Sequence, residues 1–150
     1  MPRERRTITS GSAFERMAGY ARAVVDGAWV HVSGTTGFDY ATGRIDEDPI
    51  AQAERAFANI EVALAEAGAG LADIVRIRWY ITRAELFERL APVFARRLGA
   101  IRPAATCLVV GMIDPRIQVE IEVTAHRGGA APDAGGPPAE PAIAGRPAAA

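Results

Sequence analysis

The sequence predicts an α+β fold, in which one mixed β-sheet is covered on one face by two helices. Three observations carry this expectation. Two segments repeat apolar residues at helical spacing, several others alternate with the period of a strand, and together they follow the order β-β-β-α-β-α-β-β. An amino-terminal strand leads that order. In ARAVVDGAWVHVSG, Asp26-Gly27 then stands between two β-prone runs, the spacing of a tight hairpin whose turn needs a positive φ. Asp48-Pro49 opens the first helix: Asp48 suits a cap and Pro49 a first turn. Ala53, Ala56, Phe57, Ile60, Leu64 and Ala67 form the helix's apolar stripe up to Gly68.

From Ile74 to Ile81, IVRIRWYI sets Val75, Ile77, Trp79 and Ile81 against Arg76, Arg78 and Tyr80, which predicts a half-covered strand with Trp79 in the core. Leu86, Leu90, Val93, Phe94 and Leu98 return to helical spacing before Gly99, with Pro92 expected to kink or restart that helix. ATCLVVG and QVEIEVTAH give the last two strands; Val119, Ile121 and Val123 oppose Gln118, Glu120 and Glu122. One face of the sheet is therefore expected to be polar, carrying Arg76, Arg78, Tyr80, Gln118, Glu120 and Glu122. Such a face either meets water or pairs its charges in an assembly, because an isolated buried charge costs too much.

At 150 residues, 49% of them hydrophobic, the chain can bury one ordinary core, so one domain is expected over residues 1–127. From Gly128 to Ala150 the sequence is mostly Gly, Pro and Ala, which is expected to form a disordered tail. A formal net charge of −1 offers no general attraction to phosphate, so nucleic acid is not an expected partner. No apolar stretch is long enough for a signal peptide or a membrane span, which gives a cytoplasmic expectation with no membrane partner. Cys107 is the only cysteine, and His31 and His126 match no ligand spacing, so no metal is expected.

Three stretches resemble the RidA/YjgF family: Ser33-Gly34, the RPAATC run from Arg102 to Cys107, and IQVEIEVTAHR from Ile117 to Arg127. The resemblance spans about residues 5–127 and implies the fold of the trimeric chorismate mutases, with three sheets packed into a central barrel and three clefts between subunits. It also implies hydrolysis of small reactive imines and enamines to carbonyl compounds and ammonia, without metal or organic cofactor. Glu120 stands at the position of the carboxylate that directs water. The family's carboxylate-gripping arginine, two residues before the cysteine, is here Ala105, which implies an altered substrate.

The resemblance also assigns Tyr20, Ser33, Gly34, Thr35, Ala105, Thr106 and Cys107 to substrate binding, with Ser33-Gly34 lining the cleft from a neighbouring subunit. Glu122 is expected to pair with an arginine instead. Arg102 would point elsewhere and is not taken as a substitute clamp, whereas Arg76 or Arg78 could enter from the polar face. Cys107 has no base near it in sequence and is expected to line the pocket, not to attack substrate. Trp29 shares parity with His31 and Ser33 and is a candidate pocket wall; His31 is a candidate base or a structural hydrogen-bonding residue. The alternatives are a RidA-like enzyme that hydrolyses, tautomerises or cyclises another small intermediate, and a non-catalytic trimer that binds a small molecule. The ribonuclease activity associated with the family is disfavoured by the charge.

Overall fold

A computed structural model describes residues 4–129; residues 1–3 and, with them, most of the expected tail, from 130 on, lie outside the described residues. The strands are β1 (Arg5–Ile8), β2 (Ala23–Asp26), β3 (Trp29–Thr35), β4 (Ile74–Ile81), β5 (Ala104–Val109) and β6 (Val119–His126). The helices are α1 (Ala13–Ala18), α2 (Pro49–Glu66) and α3 (Leu86–Leu98). The six strands form one sheet in the order β1-β2-β3-β6-β4-β5, antiparallel except where β4 and β5 run parallel. The mixed sheet and its two covering helices are those the sequence predicts.

One helix was missing from the predicted order. Ala13–Ala18 is too short for an apolar period to show, and its ends alone define it. The Ser12 side chain accepts from the Phe14 amide at 3.2 Å, and Gly19 closes the helix in the left-handed region at φ 71°. The hairpin turns on Gly27, at φ 62°, between Asp26 and Trp29, which pair across it. Asp48 caps α2 through the Ile50 amide, and the six apolar residues of the predicted stripe, five in α2 and Ala67 at its C-cap, are all buried. The apolar stripe of α3 is buried as well, and α3 runs through Pro92 as a single helix.

These two stripes meet Ile77, Trp79, Ile81, Val119, Ile121 and Val123 in one core. Trp79 stacks on Phe94, with ring centroids 3.8 Å apart, and Phe57 meets Phe94 edge-on at 5.2 Å. Burying each such side chain stabilises the fold by roughly 1.5–3 kcal/mol, so the covered face holds the layers together. Val75 departs from its predicted place. The β4–β6 register slips between Ile74 and Arg76, and this bulge turns Val75 out to 43% exposure. A second slip, between Val32 and Thr35 in the β3–β6 pairing, falls at Ser33-Gly34. Among the described residues no helix is long and apolar enough to cross a membrane.

Candidate functional site

The uncovered face of the sheet carries the predicted polar set. Tyr80 pairs with Glu120 and Arg78 with Glu122 across β4 and β6, so the four share a face opposite Trp79 and Ile121. Glu122 accepts from Arg78 Nη1 at 2.8 Å and from the Tyr80 hydroxyl at 3.0 Å, the arginine pairing expected of it. Both partners are partly exposed and screened by solvent, so the ion pair serves mainly to orient Arg78. Arg78 is thereby engaged. Arg76 lines a shallow depression with His31, Arg78, Glu122 and Thr124, one end of the face, while Glu120 lies towards the other.

Glu120 differs from its neighbour. Among the described residues no donor hydrogen-bonds its carboxylate, which rests on the Gly34 backbone. A Cβ at Gly34 would fall inside the van der Waals envelope of Glu120 Oε1, so a side chain there would displace the carboxylate from this place. Burial pushes the Glu120 carboxyl above the usual range; Arg22 opposes the rise and Glu122 adds to it. A half-buried carboxylate of raised basicity with free lone pairs can take a proton from water.

Arg22 is the residue that the sequence did not single out. Its side chain is 5% exposed, Nη2 donates to the Gly34 carbonyl at 2.6 Å, and Nη1 donates to the Tyr40 hydroxyl at 2.8 Å. Tyr20, half-exposed after the Gly19 cap, lies with its ring centroid 5.8 Å from the Arg22 guanidinium carbon. Ser33 is spent on the same junction: its hydroxyl donates to the Ala21 carbonyl at 2.7 Å and its amide to the Arg22 carbonyl at 2.9 Å. One chain thus brings Tyr20, Ser33, Gly34 and Glu120 together around Arg22. The only signal in the sequence was a lone cation at the head of the apolar AVV run, ahead of the strand where alternation becomes informative.

The remaining candidates lie elsewhere. Thr35 pairs with Ile121, is fully buried on the helix side, and donates its hydroxyl to the Ser33 carbonyl at 2.8 Å. It shapes the bulge and offers no hydroxyl to the open face. Ala105, Thr106 and Cys107 are on β5, with β4 between them and β6. By the β4–β5 register, Ala105 and Cys107 turn to the helix side with Ile77 and Trp79, whereas Thr106 and Leu108 turn to the open side with Arg78 and Tyr80. Cys107 packs against the core, and burial raises its thiol, which keeps it protonated. Trp29 is not beside Glu120; it meets His126 edge-on at the far end of β3. Among the described residues no group of three or more His, Cys, Asp or Glu could hold a metal ion.

Residues 10–127 match the family model described as Endoribonuclease L-PSP. The crystal structure of Rv2704 from Mycobacterium tuberculosis, described as a member of the highly conserved YjgF/YER057c/UK114 family, aligns with a TM-score of 0.75 at 41% identity, covering 82% of this chain and 99% of that one. The chain belongs to the RidA/YjgF family. An uncharacterized protein of Streptomyces coelicolor is 36% identical over 124 residues, 82% of this chain and 92% of that protein. Another RidA/YjgF relative, the 2-iminobutanoate/2-iminopropanoate deaminase of Dermatophagoides farinae, is 27% identical over 119 residues, 79% of this chain and 93% of that enzyme.

Proposed function

We propose that this RidA/YjgF protein is a water-using hydrolase of small imines or enamines, with Glu120 as the base and a substrate that lacks the carboxylate of amino-acid-derived imines. The carrying observation is the Glu120 carboxylate, half-buried above Gly34, raised in basicity and given no hydrogen bond among the described residues. Glu120 takes a proton from water as the water oxygen bonds to the imine carbon. In the carbinolamine so formed from a protonated imine, returning that proton to nitrogen and passing the remaining hydroxyl proton to Glu120 lets the carbon–nitrogen bond break, leaving a carbonyl compound and ammonia. The relationship to the mite deaminase supports the reaction class. Ala105 supports the change of substrate: a guanidinium–carboxylate pair contributes roughly 1.5–3 kcal/mol per hydrogen bond, and every 1.4 kcal/mol is about tenfold in affinity or rate.

The assembly that fits this chemistry is a homotrimer with clefts between subunits, in which β5 of one subunit faces the Glu120 site of the next. Two observations support it. The Tyr20–Ser33–Gly34–Glu120 group and the Ala105–Thr106–Cys107 strand are parted by β4 within one chain, and β5 is an edge strand with Leu108 and Val109 about half exposed. Endoribonuclease activity finds no support in a chain of net charge −1.

The test is ammonia release from two freshly generated substrates, 2-iminobutanoate and a neutral imine of similar size. The native protein is expected to turn over the neutral imine and to act on 2-iminobutanoate at least about tenfold more slowly, with Ala105→Arg reversing the order. Equal turnover of both by the native protein would show that Ala105 does not set the preference. Ligand-induced stabilisation without any turnover would instead make the protein a binder.

A further inference from the structure

We infer that Arg22 is the positioning residue of the Glu120 site: its buried guanidinium holds the Gly34 carbonyl, and with it the backbone surface on which the Glu120 carboxylate rests. This extends the role of Glu120 proposed above and rests on it. The bulge between Val32 and Thr35 interrupts the β3–β6 ladder at Gly34. Arg22 Nη2 takes up the Gly34 carbonyl there at 2.6 Å, a charge-assisted hydrogen bond of the strong kind. The grip is stiff at its other end too. Nη1 is held by Tyr40, and the Arg22 carbonyl accepts from Ser33, the residue next to Gly34.

Arg22 serves this site through its contacts within the chain: each terminal nitrogen donates once there, and Nε is buried without a partner among the described residues. Its charge acts through the carboxylates around it. Burial alone would raise the Glu15 carboxyl, but hydrogen bonds from Ser10 and Thr9 and the charge of Arg22 outweigh this and hold it below the usual range. Among the described residues Glu120 receives no such bonds, so Arg22 only moderates the rise that burial imposes. The cation therefore works in two ways: it fixes the floor beneath Glu120 and keeps its carboxylate ionised to lower pH than burial alone allows.

The experiment follows the Glu120 side-chain carboxyl carbon by NMR through a pH titration of the full chain, native and Arg22→Gln, with no substrate present. Removal of the cation is expected to move the midpoint upward, and the acid limb of the imine-hydrolysis profile with it. An unmoved midpoint in a folded Arg22→Gln protein would overturn the inference. Arg22→Lys keeps the charge but cannot span Gly34 and Tyr40 together. It is expected to leave the midpoint near native, shift the Gly34 carbonyl resonance, and lower kcat about ten- to a hundredfold with little change in KM. A native kcat and Gly34 signal in that variant would likewise overturn it, even if Arg22→Gln fails to fold. A shifted midpoint in a protein that hydrolyses no imine would leave the Arg22 role standing and remove the proposed reaction. Normal hydrolysis that depends on Glu120, with an unmoved midpoint, would do the reverse.

Discussion

Glu120 and Glu122 stand two residues apart on the same strand and face, yet their surroundings give them different work. Glu122 is held by Arg78 and Tyr80, whereas Glu120 is half-buried over a glycine and, among the described residues, meets no hydrogen-bond donor. Alternation in the sequence put both on one face but could not separate them, because the difference lies in a bulge on β3 that has no period-two signature. The raised Glu120 carboxyl has a consequence for stability. Below its unfolded value both states hold the proton and nothing is lost; as pH rises through the higher folded value, the folded state keeps a half-buried carboxylate and stability falls. Glu120→Gln is therefore expected to raise Tm at neutral pH, and the gain should vanish below about pH 4, as thermal denaturation across pH would show.

At the scale of elements, the helices and most of the sheet were legible because each buries one clean stripe. Their mutual placement was not, since it depends on polar side chains that bridge distant segments. Gln52, fully buried on α2, donates from Nε2 to the carbonyls of Asp46 and Arg116 and accepts from the Gln118 amide at 2.8 Å. It ties the start of α2 to the residue before β6, two positions from Glu120. Gly37 fits against the same residue: a Cβ there would lie 2.6 Å from the Gln52 Cα. Gln52→Leu leaves three backbone groups without partners and is expected to cost about 3 kcal/mol, measured by urea unfolding. By contrast, the Arg97–Glu54 and Arg97–Glu61 pairs that link α3 to α2 are partly exposed, and each contributes about 0–1 kcal/mol. The Trp79–Phe94–Phe57 stack carries more of the contact.

Across the whole molecule, the candidate residues fall into two groups that one chain does not join. The family motifs were readable along the sequence, but their separation by β4 emerges only from the strand order. A trimer in which β5 approaches a neighbour's Glu120 would unite them and cover an exposed apolar edge. Leu108→Asp, at a residue 48% exposed in the single chain, is then expected to leave the fold intact, reduce the assembly from three chain masses to one by light scattering, and abolish turnover. The central claim is that Glu120 directs the water. Its most direct measurement is ammonia release from a neutral imine by native protein and Glu120→Gln under identical conditions. A loss of about a hundredfold or more with the trimer intact is the predicted result; unchanged release would contradict it.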